Sequence, residues 1–401
     1  MDKMEKLVQD YTSLMGRCRT EVMKADTYHP THYGEADDWA DRVAEYLEFD
    51  QNLTDRYHAV DGGRFYGFGL SEHIGFDHWN DEDDKKPPLV RIYPSKKPRL
   101  IVNPEDRDEY LVGTDYSEKE MVIDAFMNPA RESFAVHLAP SNESPIPYTL
   151  ATDSDWLTLS HEKGTALHRH DTLLVTIDRK KLAAAGGKGI ATVSVDTAFS
   201  HMKLHFPART AESLPAPTVK NTYYESQGFI SILADRYSAK HDAGGFAFSH
   251  LDGYGRTASA MKVLPAFHEP FTLSDKDIPW LEYSFFAEDG GACTLELYFS
   301  PTNPPKIDNV MEYAVAMNGE EPHLLNMVDR KTFVTYFSDE WAYGAEYNIQ
   351  KRRTAVQVRK GFNTLRFWAL CPTLILEKLV LFPEGKEPPA SYLGPTESYR
   401  R

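Results

Sequence analysis

The sequence has little cysteine, no long apolar run and no excess of positive charge, and each shortage excludes something. Three cysteines, Cys18, Cys293 and Cys371, lie far apart in a chain of 401 residues. An odd, scattered set gives neither a disulfide framework nor the paired spacing of a zinc site, so buried free thiols are expected. No apolar stretch approaches the roughly 20 residues that span a bilayer. The start, Met1-Asp2-Lys3-Met4-Glu5-Lys6, lacks the apolar centre of a signal peptide. That leaves either a cytoplasmic protein or a start that is not the natural one of a secreted protein. Lys and Arg number 44 against 60 Asp and Glu, a formal net charge of −16. Phosphate neutralisation needs a basic face, so a nucleic-acid partner is not expected, and neither is an anionic membrane surface. Gly-x-Ser-x-Gly, a phosphate-cradling loop and a dinucleotide fingerprint are all absent.

What is present describes a folded, strand-rich chain. The apolar fraction is 41% and the aromatic fraction 12%, which is enough for proper cores, and 25 prolines with 24 glycines suit β-structure and loops. Met4, Leu7, Val8, Tyr11, Leu14 and Met15 recur at helical spacing. A second helix is predicted from about Ala36 to His58, with Trp39, Val43, Ala44, Leu47, Leu53 and Tyr57 as its stripe. Two helices cannot enclose a core, so this pair must lean on other structure.

Downstream the period shortens. Leu89–Tyr93, Met121–Phe126, Ser133–Leu138, Leu173–Ile177 and Ala191–Val195 read as strands separated by turn residues. Short strands at that spacing suggest an immunoglobulin-like sandwich. Leu281–Phe286, Cys293–Phe299, Thr364–Leu370 and Leu374–Phe382 then suggest a second sandwich of jelly-roll type. The expected fold is therefore mainly β, with two β-sandwich domains preceded by a short helical segment. The expected division is a helical segment over 1–60, an aromatic loop and acidic linker over 61–88, the first sandwich over 89–208, a proline-bearing linker over 209–221, and the second sandwich over 222–401. The glycines of Ala183–Gly189 read as a turn between two strands that opens no helix, and Gln350-Lys351-Arg352-Arg353 as an exposed edge.

Several segments of the second sandwich resemble one known family. They are Tyr224-Glu225-Ser226-Gln227-Gly228-Phe229-Ile230-Ser231-Ile232, the turn Gly253-Tyr254-Gly255-Arg256-Thr257, Ser300-Pro301-Thr302, and the tail Ala390-Ser391-Tyr392-Leu393-Gly394-Pro395. They are similar to the carboxy-terminal domain of glycoside hydrolase family 115, the xylan α-glucuronidases. The helical segment with Asp38-Trp39-Ala40-Asp41-Arg42-Val43, and the loop holding His73-Ile74-Gly75-Phe76 and Trp79, resemble the region that follows the family's catalytic barrel. Cys371-Pro372 and Pro395-Thr396 depart mildly from the family's usual residues.

The resemblance implies a role in removing (methyl)glucuronic acid side chains from glucuronoxylan. An inverting glycosidase needs two carboxyl groups about 6.5–9.5 Å apart. The family draws them from its barrel, and no position here matches them. The expectation is a non-catalytic C-terminal portion that supports the barrel and assembly, with a barrel or a second protomer as partner and no catalytic residue, cofactor or metal site of its own. Family members are often secreted. The alternative is a stand-alone carbohydrate-binding protein, and a complete enzyme with an unrecognised site is a third reading.

Four residues are carbohydrate-binding candidates. Trp79, with His73 in the same loop, offers a ring face for sugar C–H groups. Arg256 suits a uronic carboxylate in forked geometry, with Tyr254 beside it in the glycine turn. The plainer alternative is that the aromatic loop packs on its neighbours and the glycines serve the backbone. His161, His168 and His170 lie close in sequence, but Lys163 and Arg169 among them oppose a cation. Glu225 alone is too little for calcium, which takes about six or more oxygens.

Overall fold

Side chains alternate between buried and exposed along most of the chain, and the computed structural model turns that alternation into paired sheets. The structure describes residues 6, 7, 10, 14, 33–67, 94–107, 109–257, 259–305, 310–328, 343–344, 347–388 and 393–401. The fold is mainly β, with two pairs of sheets and a preceding helical segment. By its contacts the chain divides into two units. One comprises Met1–Val122, Ser133–Ile177 and Ala191–His205, and the other Ile123–Glu132, Asp178–Ile190 and Phe206–Arg401. Three expectations, Leu89–Tyr93, His73 and Trp79, lie outside the described residues, as does Cys18.

In the first unit a helix, α1 (Tyr33–His58), buries Ala40, Val43, Leu47 and Leu53. Their three- and four-residue spacing puts them on one face. Leu53 packs with Leu7 and Leu14, with Tyr46 and Val60 alongside. His168 Nε2 meets Asp38 Oδ1 at 3.0 Å, tying the helix to the loop before β8.

The strands of the first sandwich are β1 (Leu100–Pro104), β2 (Leu111–Val112), β3 (Lys119–Val122), β4 (Ser133–Pro140), β5 (Ile146–Thr152), β6 (Leu157–Leu159), β7 (Lys163–Ala166), β8 (Asp171–Ile177), β9 (Lys188–Thr197) and β10 (His201–Arg209). They form sheets ordered β2-β1-β4-β8-β6 and β3-β10-β9-β5-β7. Val102, Phe134, Val136, Leu173 and Val175 are buried from one sheet, and Val193, Val195, Met202 and Leu204 from the other. Burying each such side chain contributes about 1.5–3 kcal/mol.

Two local expectations are corrected. The strand expected over Met121–Phe126 ends at Val122, and Asp124–Met127 is a 3-10 turn that buries Phe126. Ala183–Gly189 is not a bare turn. A six-residue helix, α2 (Arg179–Ala184), precedes the glycines, with Asp178 Oδ1 accepting from the Lys180 and Lys181 N–H groups at 3.0 and 3.1 Å. Gly186 and Gly187 (φ +106° and +78°) stop that helix. The Gly187 N–H returns to the Leu182 carbonyl at 2.9 Å, a left-handed cap that asks for glycine.

The second unit adds β11 (Thr222–Tyr224), β12 (Ile230–Leu233), β13 (Ala239–His241), β14 (Ala247–Asp252), β15 (Ser259–Leu264), β16 (Trp280–Ala287), β17 (Gly291–Phe299), β18 (Glu312–Met317), β19 (His323–Asn326), β20 (Gln350–Val358), β21 (Gly361–Ala369), β22 (Ile375–Pro383) and β23 (Tyr399–Arg400). One sheet runs β19-β18-β21-β16-β11-β23 with β13 also on β16, and the other β14-β15-β22-β17-β20 with β12 also on β22. Tyr283, Phe285, Leu365 and Phe367 of the first sheet and Leu297, Phe299, Leu379 and Leu381 of the second share one core.

Two arginines hold the margin of this unit. Arg209 is 1% exposed, and its guanidinium donates to the Met127 carbonyl at 2.7 Å, to the Glu225 carbonyl and to Glu288 Oε1. Arg179 donates to the carbonyls of Phe126, Asn128 and Arg131 at 3.0, 2.9 and 2.7 Å, and to that of Arg209. Irregular backbone has no ladder to satisfy its carbonyls, and these two side chains supply the donors. Burial, and then the Arg209 charge, lower the Arg179 pKa to about 10.

Arg209→Met is expected to cost about 3 kcal/mol, because it strands buried carbonyls and removes a buried cation's bonds. Glu288→Ala is expected to cost less than about 1 kcal/mol, since that partner is 43% exposed. Urea unfolding of the two variants checks the ranking.

Candidate functional site

The last long strand, β22, is apolar except for Glu377 and Lys378 at its middle. Successive residues of a regular strand face opposite ways. One of two adjacent charges would then enter the core. Leu376 and Leu379 both join the core instead, although they are three apart. Pairing with β17 steps from Tyr298↔Lys378 to Phe299↔Leu376, which leaves Glu377 as the extra residue of a β-bulge. Both charges therefore turn to the outer face of the sheet. The other edge changes partner at the same place: β15 pairs with Ile375 and Leu376, and β12 takes over from Lys378.

Each charge organises one segment. The Glu377 carboxylate is 0% exposed and accepts from the Thr257 N–H (3.1 Å), Thr257 Oγ1 (3.3 Å) and Ser300 Oγ (2.5 Å). Gly255 (φ +75°) lies directly on that carboxylate, and a Cβ there would come within 2.4 Å of Oε1. The glycine turn is thus demanded by backbone angle and by close approach together. Lys378 Nζ donates to the Leu393 carbonyl at 3.2 Å and to the Pro395 carbonyl. Ser231 Oγ also reaches the Pro395 carbonyl at 3.0 Å, and Ser398 Oγ accepts from the Ser231 N–H at 2.9 Å. The tail is strapped across the sheet by these bonds. Burial lowers the Lys378 pKa to about 8, against a smaller opposing pull from Glu397.

Beside the bulge lies a group of cations. Lys351 Nζ sits 4.6 Å from the Tyr298 ring centroid. Burial first, and then Arg256 and Arg353, hold Lys351 below the usual lysine value in spite of Glu296. Arg353 bonds Glu296 Oε1 at 2.7 Å and grips Glu387 through two bonds of 2.7 and 2.8 Å. Burial, and then Glu296, raise the Tyr298 pKa. Tyr298 also belongs to a small outer apolar cluster with Phe229, Ile349, Val380 and Phe382. At the rim Tyr254 is 41% exposed, and Tyr343 and Tyr347 lie tilted together with centroids 4.7 Å apart and planes 32° apart. The arrangement offers aromatic surface beside a field of positive charge. Of its carboxylates, Glu296 and Glu377 are buried and engaged by donors, and the exposed Glu387 is held by Arg353.

Of the predicted residues, Tyr254 and Arg256 fall at this face, while His73 and Trp79 lie outside the described residues. Arg256 is turned inward, with Nε and Nη1 out of contact with solvent, and its charge acts on Tyr298 and Lys351. Glu377, Lys378, Lys351, Tyr343 and Tyr347 were not singled out from sequence. The signal for the first two was a Glu-Lys pair inside an otherwise apolar run. The basic run of β20 does form a sheet edge, but Gln350 is 3% exposed and Lys351 half-buried, so it is more than a solvated edge.

The three neighbouring histidines take separate partners. His161 meets Tyr148 Oη at 2.9 Å, His168 meets Asp38, and His170 stacks on His137 at 4.4 Å. Glu225 Oε2 accepts from the Glu288 N–H at 2.8 Å, and burial raises its pKa. Among the described residues no group of three or more His, Cys, Asp or Glu side chains is placed to hold a metal ion. Among them, too, no helix is long and apolar enough to cross a membrane. Cys293 and Cys371 are free thiols, half-buried and buried.

Residues 222–397 match the profile of the glycosyl hydrolase family 115 C-terminal domain. The match lies within the second unit and makes this region similar to that family's C-terminal domain. No curated protein matches the chain. Among solved structures, a family 115 4-O-methyl-α-glucuronidase with specificity for decorated arabinogalactans is 17% identical, with a TM-score of 0.27; the match covers 37% of this chain and 18% of that one. A family 35 carbohydrate-binding module from Clostridium thermocellum is 12% identical over 39% of this chain and 98% of its own, with a TM-score of 0.27. An exo-β-1,3-galactanase from Phanerochaete chrysosporium is 12% identical over 63% of this chain and 55% of its own, also with a TM-score of 0.27. This chain therefore spans less than a fifth of the length of the glucuronidase it matches.

Lys378 gives the face a pH signature. Its folded pKa, about 8, lies below the ordinary 10.5, so between those values the unfolded chain binds the extra proton. Stability therefore rises with pH across that window, by about 1 kcal/mol from about pH 7.5 to about pH 9. Thermal melts over that range should show the rise, and Lys378→Met should flatten it.

Proposed function

We propose that this chain is the non-catalytic, carbohydrate-contacting C-terminal portion of a family 115 α-glucuronidase that acts on glucuronoxylan side chains. In this role it supports the catalytic barrel and assembly. The observation that carries this reading is the family match over residues 222–397. The segments that make up the match, the glycine turn, Ser300 and the tail, converge on Glu377 and Lys378. The division into a helical segment, a first sandwich over 89–208 and a second over 222–401 belongs to the same proposal. The sugar-contacting residues are Tyr254 and Arg256 at the sheet face, joined on sequence grounds by His73 and Trp79.

Chemistry supports the choice of ligand. Arg256 and Lys351 press on each other as like charges, and a uronic carboxylate laid against them relieves that repulsion. Tyr254, exposed at the rim, gives the pyranose ring an apolar face. The same observation favours the second reading, a stand-alone carbohydrate-binding protein, in which this face works without a barrel.

Calorimetric titration with glucuronoxylan is expected to show saturable binding that weakens roughly tenfold in Tyr254→Ala and when the xylan lacks uronic acid. An undiminished affinity for the uncharged polymer would remove the face from the proposal. In parallel, the purified chain is expected to release no methylglucuronic acid from xylan. Release by this polypeptide alone would overturn the non-catalytic assignment.

A further inference from the structure

The first sandwich has its own recess. A cavity of about 340 Å³ opens at one end of it, between the segment entering β1, the end of β2, the start of β5 and the β9–β10 turn. That volume is at the low end of small-molecule sites.

Two of its walls are built rather than incidental. The β9–β10 turn is pinned by Thr197 and Ser200: the Thr197 N–H donates to the Ser200 carbonyl at 2.9 Å, Thr197 Oγ1 and Ser200 Oγ lie 2.8 Å apart, and Thr197 Oγ1 accepts from the Ser200 N–H at 3.0 Å. The pinned turn thrusts Phe199 outward at 71% exposure. Gly113 makes room for it, since a Cβ there would lie 2.4 Å from Ser200 Oγ. On the opposite side the strand entering β1 is stitched down by serines. Ser95 Oγ donates to the Lys97 carbonyl at 2.5 Å, and Ser141 Oγ accepts from the Arg99 N–H at 2.9 Å.

Charge singles the recess out. Lys97 and Arg99 line it, and neither side chain has a hydrogen-bond or ion-pair partner among the described residues. In a chain with net charge −16, carboxylates to pair with are abundant. The acids nearby are otherwise committed, Glu118 to Lys203 and Asp196 to His201 at 2.8 Å. Asp115, exposed, is the one carboxylate in the lining. Pro98, Ile146 and Phe199 supply apolar surface between.

We infer that this recess binds a monosaccharide-sized sugar acid, a hexuronate unit, with its carboxylate on Lys97 and Arg99 and a ring face on Phe199. The inference rests on the carbohydrate-active reading but concerns a different unit from the sheet face. A neutral sugar leaves both cations unused, and a bare carboxylate leaves the apolar wall uncovered. Arg99 is suited to the carboxylate by its fork, and Phe199 to the C–H groups of a pyranose. Asp115 accepts from ring hydroxyls.

The test uses the full chain carrying Tyr254→Ala, which weakens the sheet face, and assigns the remaining signal to the recess by the recess substitutions. Sodium glucuronate is titrated calorimetrically, with glucose and sodium acetate as separate arms. Saturable binding of glucuronate is expected, with glucose and acetate each at least roughly tenfold weaker. Arg99→Gln and Phe199→Ala are each expected to weaken glucuronate roughly tenfold; both side chains reach solvent, so neither substitution threatens the fold. No saturable binding, or binding that both substitutions leave unchanged, overturns the assignment. Acetate binding as tightly as glucuronate also overturns it, because the site then reads a carboxylate and no sugar. Glucuronoxylan binding to the chain with Tyr254 intact is read separately, so failure of either site leaves the other's result standing.

Discussion

A strand buried on both faces has nowhere to put two adjacent charges, and the second unit is organised around that constraint. β22 packs Leu376, Leu379 and Leu381 into the core and Val380 and Phe382 into the outer cluster. Glu377 and Lys378 interrupt it. Leaving either one in the core unpaired would cost several kcal/mol. The bulge turns both outward, and the chain then brings partners to them. Thr257 and Ser300 come to the acid, and the carbonyls of residues 393 and 395 come to the base. A buried ion seldom stabilises a fold in itself, but it specifies which segments must meet. The glycine turn and the tail, far apart in sequence, are fixed against one strand by that requirement.

A second organising device serves irregular backbone. Residues 123–132 make no ladder, so their carbonyls need donors from elsewhere. Arg179 and Arg209 provide seven such contacts between them, counting the Glu288 carboxylate, in and around that segment. Burial first, and then repulsion from the Arg209 guanidinium, lower the Arg179 pKa. The arrangement holds because the planar five-donor fork of an arginine satisfies several spread-out carbonyls at once. Arg209 is the last residue of β10, and Arg179 opens α2.

The parts legible in the sequence were those with a clean period. Ala40, Val43 and Leu47 repeat at helical spacing, and Leu281, Tyr283 and Phe285 or Leu365 and Phe367 alternate, so α1, β16 and β21 were readable. The bulge was not, because it is a break in period: Leu376 and Leu379 look out of phase until the pairing shift is known. The short helix before Gly186 was hidden for a related reason. Three alanines and three glycines in seven residues suggest a flexible turn, and only the Asp178 cap shows that a helix precedes it. At the candidate site the glycine turn was visible as a motif, but not what it approaches. Gly255 exists to clear Glu377, a residue 122 positions later, and no local pattern carries that distance. The recess of the first sandwich was invisible in the same way, since Lys97, Gly113, Ile146 and Phe199 come from four separate segments.

Charge placement is the feature that composition obscures most. A net charge of −16 predicts a surface that repels acidic polymers. The structure gathers cations in two places where that average does not apply. At the sheet face Lys351 is held against Arg256 and Arg353 although each addition raises the cost of the next. In the recess of the first sandwich Lys97 and Arg99 stand without a carboxylate partner among the described residues. Surface ion pairs are cheap to form and common, so their absence at a lined cavity is informative. A positive recess within an acidic surface discriminates more sharply than a uniformly basic one. The surrounding charge disfavours an anion everywhere except where donor geometry and an apolar wall coincide. Selectivity for an acidic sugar over a neutral one then follows from local geometry against the global field.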